Sequence, residues 1–164
     1  MNKENTEKLW NAFPNLYRGR NLSIQESLIS FGFECQDGWF DLVWNLSEKL
    51  EKLILELPAD HRDVCCASQV KEKYGTLSLY MHSATEEMYD LIDKAEYKSA
   101  VTCEVCGNNG FLFTYGWCKV RCIEHMDKEE MLSELQWLAK NNREWREEMD
   151  RLAEEVDKLK KGQQ

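Results

Sequence analysis

Four residues carry the donor chemistry of a metal site: Cys103, Cys106, Cys122 and His125, spaced C-x2-C-x15-C-x2-H. Thiolates and a neutral imidazole are the ligands zinc prefers, and two intervening residues let both members of a pair reach one ion. Gly107 follows the first pair and permits the tight knuckle whose amides point at sulfur. If Cys122 opens a helix, His125 lies one turn further along the same face. Four protein ligands complete a tetrahedron and leave no position for a reactive water, so the expected zinc is structural. Cys118 offers an alternative, as the fourth ligand of an all-cysteine site in place of His125. Strand alternation instead turns it toward a small core beside Val120. Cys35, Cys65 and Cys66 have no partner at ligand spacing and read as buried thiols that behave as small hydrophobes.

Catalytic zinc chemistry finds little support in the same residues. A hydrolytic zinc needs an open coordination position and a carboxylate acid or base. Glu104 and Glu124 lie between ligands, where solvated carboxylates are expected. The deaminase pattern H-x-E followed by P-C-x-x-C is absent, because Thr102 precedes Cys103 and the other candidate reads His61-Arg62-Asp63. An HNH-type nuclease needs a further catalytic histidine, and only His61 and His82 are at hand, both distant in sequence. The expectation is a protein that is not an enzyme, with a hydrolase or nuclease built on the zinc or on His61 and Asp63 as the minor reading.

The elements that must position the site follow from periodicity. A short helix is expected from Ser23 to Ile29, ending near Gly32, with Leu22, Ile24, Leu28 and Ile29 as its apolar side. A longer one opens at Asp37, whose carboxylate would cap it, carries Trp39, Val43, Leu46, Leu50 and Ile54 inward, and stops before Pro58. Between Val64 and His82 the β-branched and aromatic residues around Gly75 predict a hairpin with Leu77, Leu79 and Met81 facing the helices. Ser83-Ala84-Thr85-Glu86 reads as a capping box ahead of Met88, Leu91, Ile92 and Ala95. Segments 111–114 and 117–121 flank Tyr115-Gly116 as a second hairpin. Knuckle, hairpin and helix together resemble a treble-clef zinc finger. The predicted fold is α+β: a mostly helical body over 1–100, the zinc module over 101–125, and a long C-terminal helix over 126–161.

That helix has no Gly or Pro to interrupt it, and its apolar residues form a heptad seam. Met131, Leu138, Trp145, Leu152 and Leu159 recur every seven residues, while Leu135, Asn142, Met149 and Val156 supply the second position. A homodimeric coiled coil is the expectation, with a lone Asn142 fixing register; packing of the stripe back onto the body is the alternative.

The whole chain has 164 residues, 43% of them hydrophobic and 31% charged, which suits one core with an extension and argues against global disorder. A formal charge of −9 repels a phosphate backbone unless cations cluster locally, as Lys71, Lys73, Lys119 and Arg121 would. Seven cysteines, a polar start and no apolar run of roughly 18 residues point to a reducing cytoplasm and no membrane span.

The blocks FGFECQDGWFDLVWNL, QVKEKYGTLSLY and CEVCG with the later CIEH resemble a set of uncharacterised zinc-binding proteins of tailed phages and prophages. The resemblance spans roughly residues 30–125 and leaves out the helical tail. It implies the same four zinc ligands and places the protein in a bacterial host's cytoplasm, but brings no activity with it. With the acidic charge and the projecting helix, it leads to an accessory protein that binds a host protein complex, such as a bacterial defence system, and inhibits or redirects it. A nucleic-acid-binding zinc finger is the alternative.

Overall fold

The computed structural model describes residues 1–114 and 116–161, the side chains of 144–146 and 148–161 excepted. The chain divides into two units, Met1–His125 and Met126–Gln164.

The first unit opens with a helix that periodicity did not reveal, α1 (Lys3–Ala12). Its apolar residues crowd its last turn, so no long stripe marks it; Leu9 is fully buried, and Phe13 just beyond is nearly so. Asn2 caps it, its side chain accepting the Asn5 N–H at 2.8 Å. Asp37 serves this helix and not its own. Its carboxylate accepts from the Asn2 N–H at 2.9 Å and from Asn5 Nδ2 at 3.0 Å. The chain at Asp37–Trp39 makes a single 3-10 turn and then enters α2 (Phe40–Glu56) without a side-chain cap.

The helix expected from Ser23 to Ile29 does not form. Ser23 and Glu26 bond side chain to side chain at 2.7 Å, and the Leu28 N–H donates to Ser68 O at 2.8 Å. Both local and sheet-directed bonds thus compete with a helix too short to nucleate alone. What forms is a turn in which Ser23 O accepts the Glu26 and Ser27 amides, followed by a 3-10 turn at Ile29–Phe31, with Ile29 buried while Leu22, Ile24 and Leu28 stay exposed.

A mixed sheet lies behind the helices. Strand β1 (Phe33–Glu34) pairs in parallel with β2 (Ala67–Lys73), Phe33 opposite Val70, and β2 pairs antiparallel with β3 (Thr76–Met81), Val70 opposite Leu79. The two-residue loop joining β2 to β3 has positive φ at both Tyr74 (53°) and Gly75 (82°), the conformation of a tight hairpin turn. The Glu72 carboxylate accepts the Gly75 N–H at 2.6 Å and braces that turn. As predicted, Leu77 and Leu79 are buried and Met81 packs against the core.

Between α2 and the hairpin runs a single turn, α3 (Ala59–Arg62). Helix α4 (Glu86–Ser99) packs against both α2 and β3 and begins later than the capping box suggested. Its cap is Thr85, whose hydroxyl accepts the Met88 N–H, and Ser83 lies outside. Trp39, Leu50, Ile54, Val70 and Met88 meet in one core, each such side chain contributing about 1.5–3 kcal/mol on burial. Phe13 and Trp44 pack edge to face with ring centroids 4.9 Å apart.

Strands β4 (Phe111–Phe113) and β5 (Lys119–Arg121) form the second hairpin where expected. The architecture is therefore α+β.

The second unit is α5 (Lys128–Lys161). Asp127 opens it, its carboxylate accepting from the Glu129 and Glu130 amides. Along the proposed seam Met131 is half-buried and Leu135, Leu138 and Asn142 are exposed. Trp145, Met149, Leu152, Val156 and Leu159 lie outside the described side chains. No helix among the described residues is long and apolar enough to cross a membrane.

Candidate metal centre

Cys103 and Cys106 sit on a knuckle that follows directly from α4. The Gly107 N–H donates to Cys103 O at 2.8 Å, and the Cys103 N–H donates to Asn108 O at 2.7 Å. Gly107 adopts φ of 80°, and a Cβ there would stand 2.9 Å from the Gly38 carbonyl oxygen, so conformation and space both require glycine.

Cys122 and His125 come from the far end of the second hairpin. They lie on a turn, not on a helix: the His125 N–H donates to Cys122 O at 3.0 Å, and helical bonding waits for the Asp127 cap. The expected helical spacing of this pair is thus replaced by a turn that brings the same two donors together.

The four ligand atoms all lie within 4.8 Å of one another. Cys106 Sγ is 3.7 Å from Cys122 Sγ, Cys103 Sγ is 3.8 Å from His125 Nδ1, and Cys122 Sγ is 3.1 Å from the same nitrogen. A tetrahedral ion with metal–sulfur bonds of about 2.3 Å has sulfur–sulfur edges of about 3.8 Å. The cluster therefore fits a metal ion, with His125 presenting Nδ1. Cys103 and Cys122 are buried, whereas Cys106 and His125 are exposed and give an ion a way in.

The sulfurs are electrostatically unequal. Burial works to raise the Cys103 thiol, but amides of Cys122, Cys106 and Val105 directed at its sulfur overcome this and bring it down to about 6. The Asn108 amide favours the Cys106 thiolate, yet desolvation and the neighbouring Cys103 and Cys122 sulfurs outweigh it and raise that thiol. One thiolate is thus ready near neutral pH, while the crowding of sulfurs opposes a second charge until a cation shares the site.

Residues around the ligands lock the knuckle to the body. Gly38 N–H donates to Glu104 O at 2.8 Å, Gln36 N–H to the Glu104 carboxylate at 3.0 Å, and Trp39 Nε1 to Thr102 O at 2.7 Å. A Cβ at Gly38 would stand 2.5 Å from both Cys103 O and Cys106 N. Glu104 is not the solvated carboxylate its position between ligands suggested. Only 6% exposed, it pairs with Arg121 at 3.0 Å. Two of the sequence blocks, QDGW and CEVCG, are therefore the two sides of one contact, and the Gly-Trp pair was the available signal. Glu124 is exposed.

Other singled-out residues lie elsewhere. Cys118 is half-buried and outside the four-residue cluster. Cys35, Cys65 and Cys66 are buried, and desolvation raises all three thiols, Cys35 to about 12. His61 and Asp63 are exposed at α3, Asp63 facing Arg18 at 3.6 Å. Lys71 and Lys73 line one cleft and Lys119 and Arg121 another beside it. Comparison with family models, curated proteins and solved structures gives no match to this chain.

Proposed function

We propose that this chain is a non-enzymatic binding protein whose metal module is held by one structural zinc on Cys103, Cys106, Cys122 and His125. The observation that carries the reading is the donor set: three sulfurs and one imidazole nitrogen within 4.8 Å use all four positions of a tetrahedron. Zinc is favoured over harder cations because soft sulfur dominates the set. Knuckle, hairpin and turn then act as a treble-clef-like staple on the helical body. When bound, the ion supplies cross-linking and not chemistry. Gly38, Trp39, Glu104 and Arg121 hold the knuckle in place.

The partner we propose is a host protein complex in a bacterial cytoplasm, the protein acting as a phage accessory factor that inhibits or redirects that complex. The resemblance of residues 30–125 to phage-encoded zinc proteins supports this, as does the formal charge of −9. The exposed Leu135 and Leu138 on α5 suit a two-stranded coil between copies. Native mass spectrometry tests metal and assembly together. Two chains carrying two zinc ions is the expected spectrum, and a protein isolated without metal would remove the reading. Affinity capture from bacterial lysate should recover one defined complex, and repeated recovery of none would remove the partner.

A further inference from the structure

The turn of the β2–β3 hairpin packs on the β4–β5 hairpin. A Cβ at Gly75 would meet Leu112 Cδ1, Lys119 N and the Cys118 carbonyl carbon, all within 3.4 Å. Where the hairpins meet, two clefts of 540 and 470 Å³ share Glu72, Trp117 and Cys118 and so adjoin. The smaller is walled by Tyr74 and Trp117, which are 75% and 80% exposed. Neither ring belongs to the buried core, so both are open to a ligand in the cleft.

Lys71 and Lys73 line the same cleft. Their ammonium groups rest near aromatic faces, Lys71 5.5 Å from the Tyr80 ring centroid and Lys73 5.7 Å from that of Tyr74. Of three nearby carboxylates, Glu104 is paired with the Arg121 cation, while Glu72 and Glu34 accept from the neutral Gly75 amide and Gln69 side chain and keep their charge. Of the charged side chains that line the smaller cleft, Lys71 and Lys73 outnumber Glu72, although the chain as a whole is acidic.

We propose that this cleft binds single-stranded nucleic acid, a base stacking on Trp117 or Tyr74 while Lys71 and Lys73 meet the adjoining phosphates. Exposed rings beside cations fit a ligand that offers both π faces and regularly spaced negative charge. A protein segment with acidic side chains satisfies the lysines but leaves the two rings without a stacking partner. The site is independent of the metal centre's role.

Fluorescence anisotropy of labelled oligothymidylate and oligouridylate of about 12 nucleotides, with full-length zinc-loaded protein, tests it. Binding is expected to weaken with salt, and Trp117→Ala and Tyr74→Asn each to lose roughly 10-fold in affinity. Asn tolerates the positive φ at position 74. Lys71→Glu with Lys73→Glu is expected to abolish binding. Preference between the two oligonucleotides assigns DNA or RNA. Zinc content and circular dichroism of each variant are read alongside, so that a collapsed module is separated from a lost cleft. Several results overturn the proposal: no binding at low salt, unchanged binding by folded Trp117→Ala, tighter binding of a duplex, or saturation by an acidic peptide instead.

Discussion

Glu104 separates two metal ligands in the chain, yet its side chain turns away from them to Arg121 while its backbone bonds Gly38 and Val120. Both partners are largely buried, so removing one leaves a charge without compensation. Glu104→Ala is expected to cost about 3 kcal/mol in urea unfolding, and a loss under 1 kcal/mol would mean that water replaces the pair. At the ligands, Cys122→Ser should abolish stoichiometric zinc by mass spectrometry, whereas Cys118→Ala should keep one zinc per chain. Retention by His125→Ala with loss by Cys118→Ala would assign the fourth position to Cys118. Proton linkage sets the pH dependence of the same site. Cys103, lowered to about 6, is largely thiolate at neutral pH, and Cys106, raised, must release its proton when the ion binds. Apparent zinc affinity should therefore climb as pH rises from 6 to 8, with protons released in calorimetry across buffers. A flat profile would contradict this ordering of the thiols.

Among the elements, the junction between the start of α2 and the Cys103–Cys106 knuckle is tightly specified. Gly38 has backbone atoms of the knuckle at a distance no Cβ can share, and Trp39 spans the contact with its indole N–H. Gly38→Ala should destabilise the protein by roughly 2–3 kcal/mol through overpacking against backbone that cannot yield. Zinc should also dissociate faster from that variant, measurable by transfer to a chromogenic chelator, and an unchanged off-rate would show that the knuckle holds its shape unaided. The α1 cap offers a milder test. Asp37→Ala removes the acceptor of two Asn donors and should cost about 1 kcal/mol in thermal unfolding.

For the whole molecule, the division at His125 predicts that residues 1–125 fold and retain metal without α5, seen as an unchanged near-ultraviolet spectrum and one bound zinc. The proposed coil predicts that the full chain is dimeric and this truncation monomeric by light scattering. A chelator should act on the first unit unevenly. The core around Trp39, Leu50, Val70 and Met88 has its own apolar contacts, whereas the described residues of 101–125 contribute only Val120, Cys103 and Cys122 to the buried apolar set. Hydrogen exchange after metal removal is expected to accelerate in 101–125 first.

The sequence alone determined what depends on local spacing. The clustering of Cys103, Cys106, Cys122 and His125 as a candidate metal site follows from residue type and separation, and the hairpin at Gly75 from its flanking residues. Inward Leu77 and Leu79 follow from strand alternation, and α2 and α4 from apolar period. Tertiary structure decided what depends on partners distant in the chain. Asp37 looks like the cap of the helix it precedes, but two Asn donors from α1 reach it instead. Ser23 to Ile29 has a helical apolar pattern, but the backbone of β2 takes the Leu28 amide and only Ile29 of that pattern is buried. Glu104 looks solvated until Arg121 and Gln36 are brought to it. Cys122 and His125 needed no helix, because a turn places their donors as well. In each case a hydrogen-bonding group took the partner that folding supplied, and a long-range partner leaves no mark in the residues beside it.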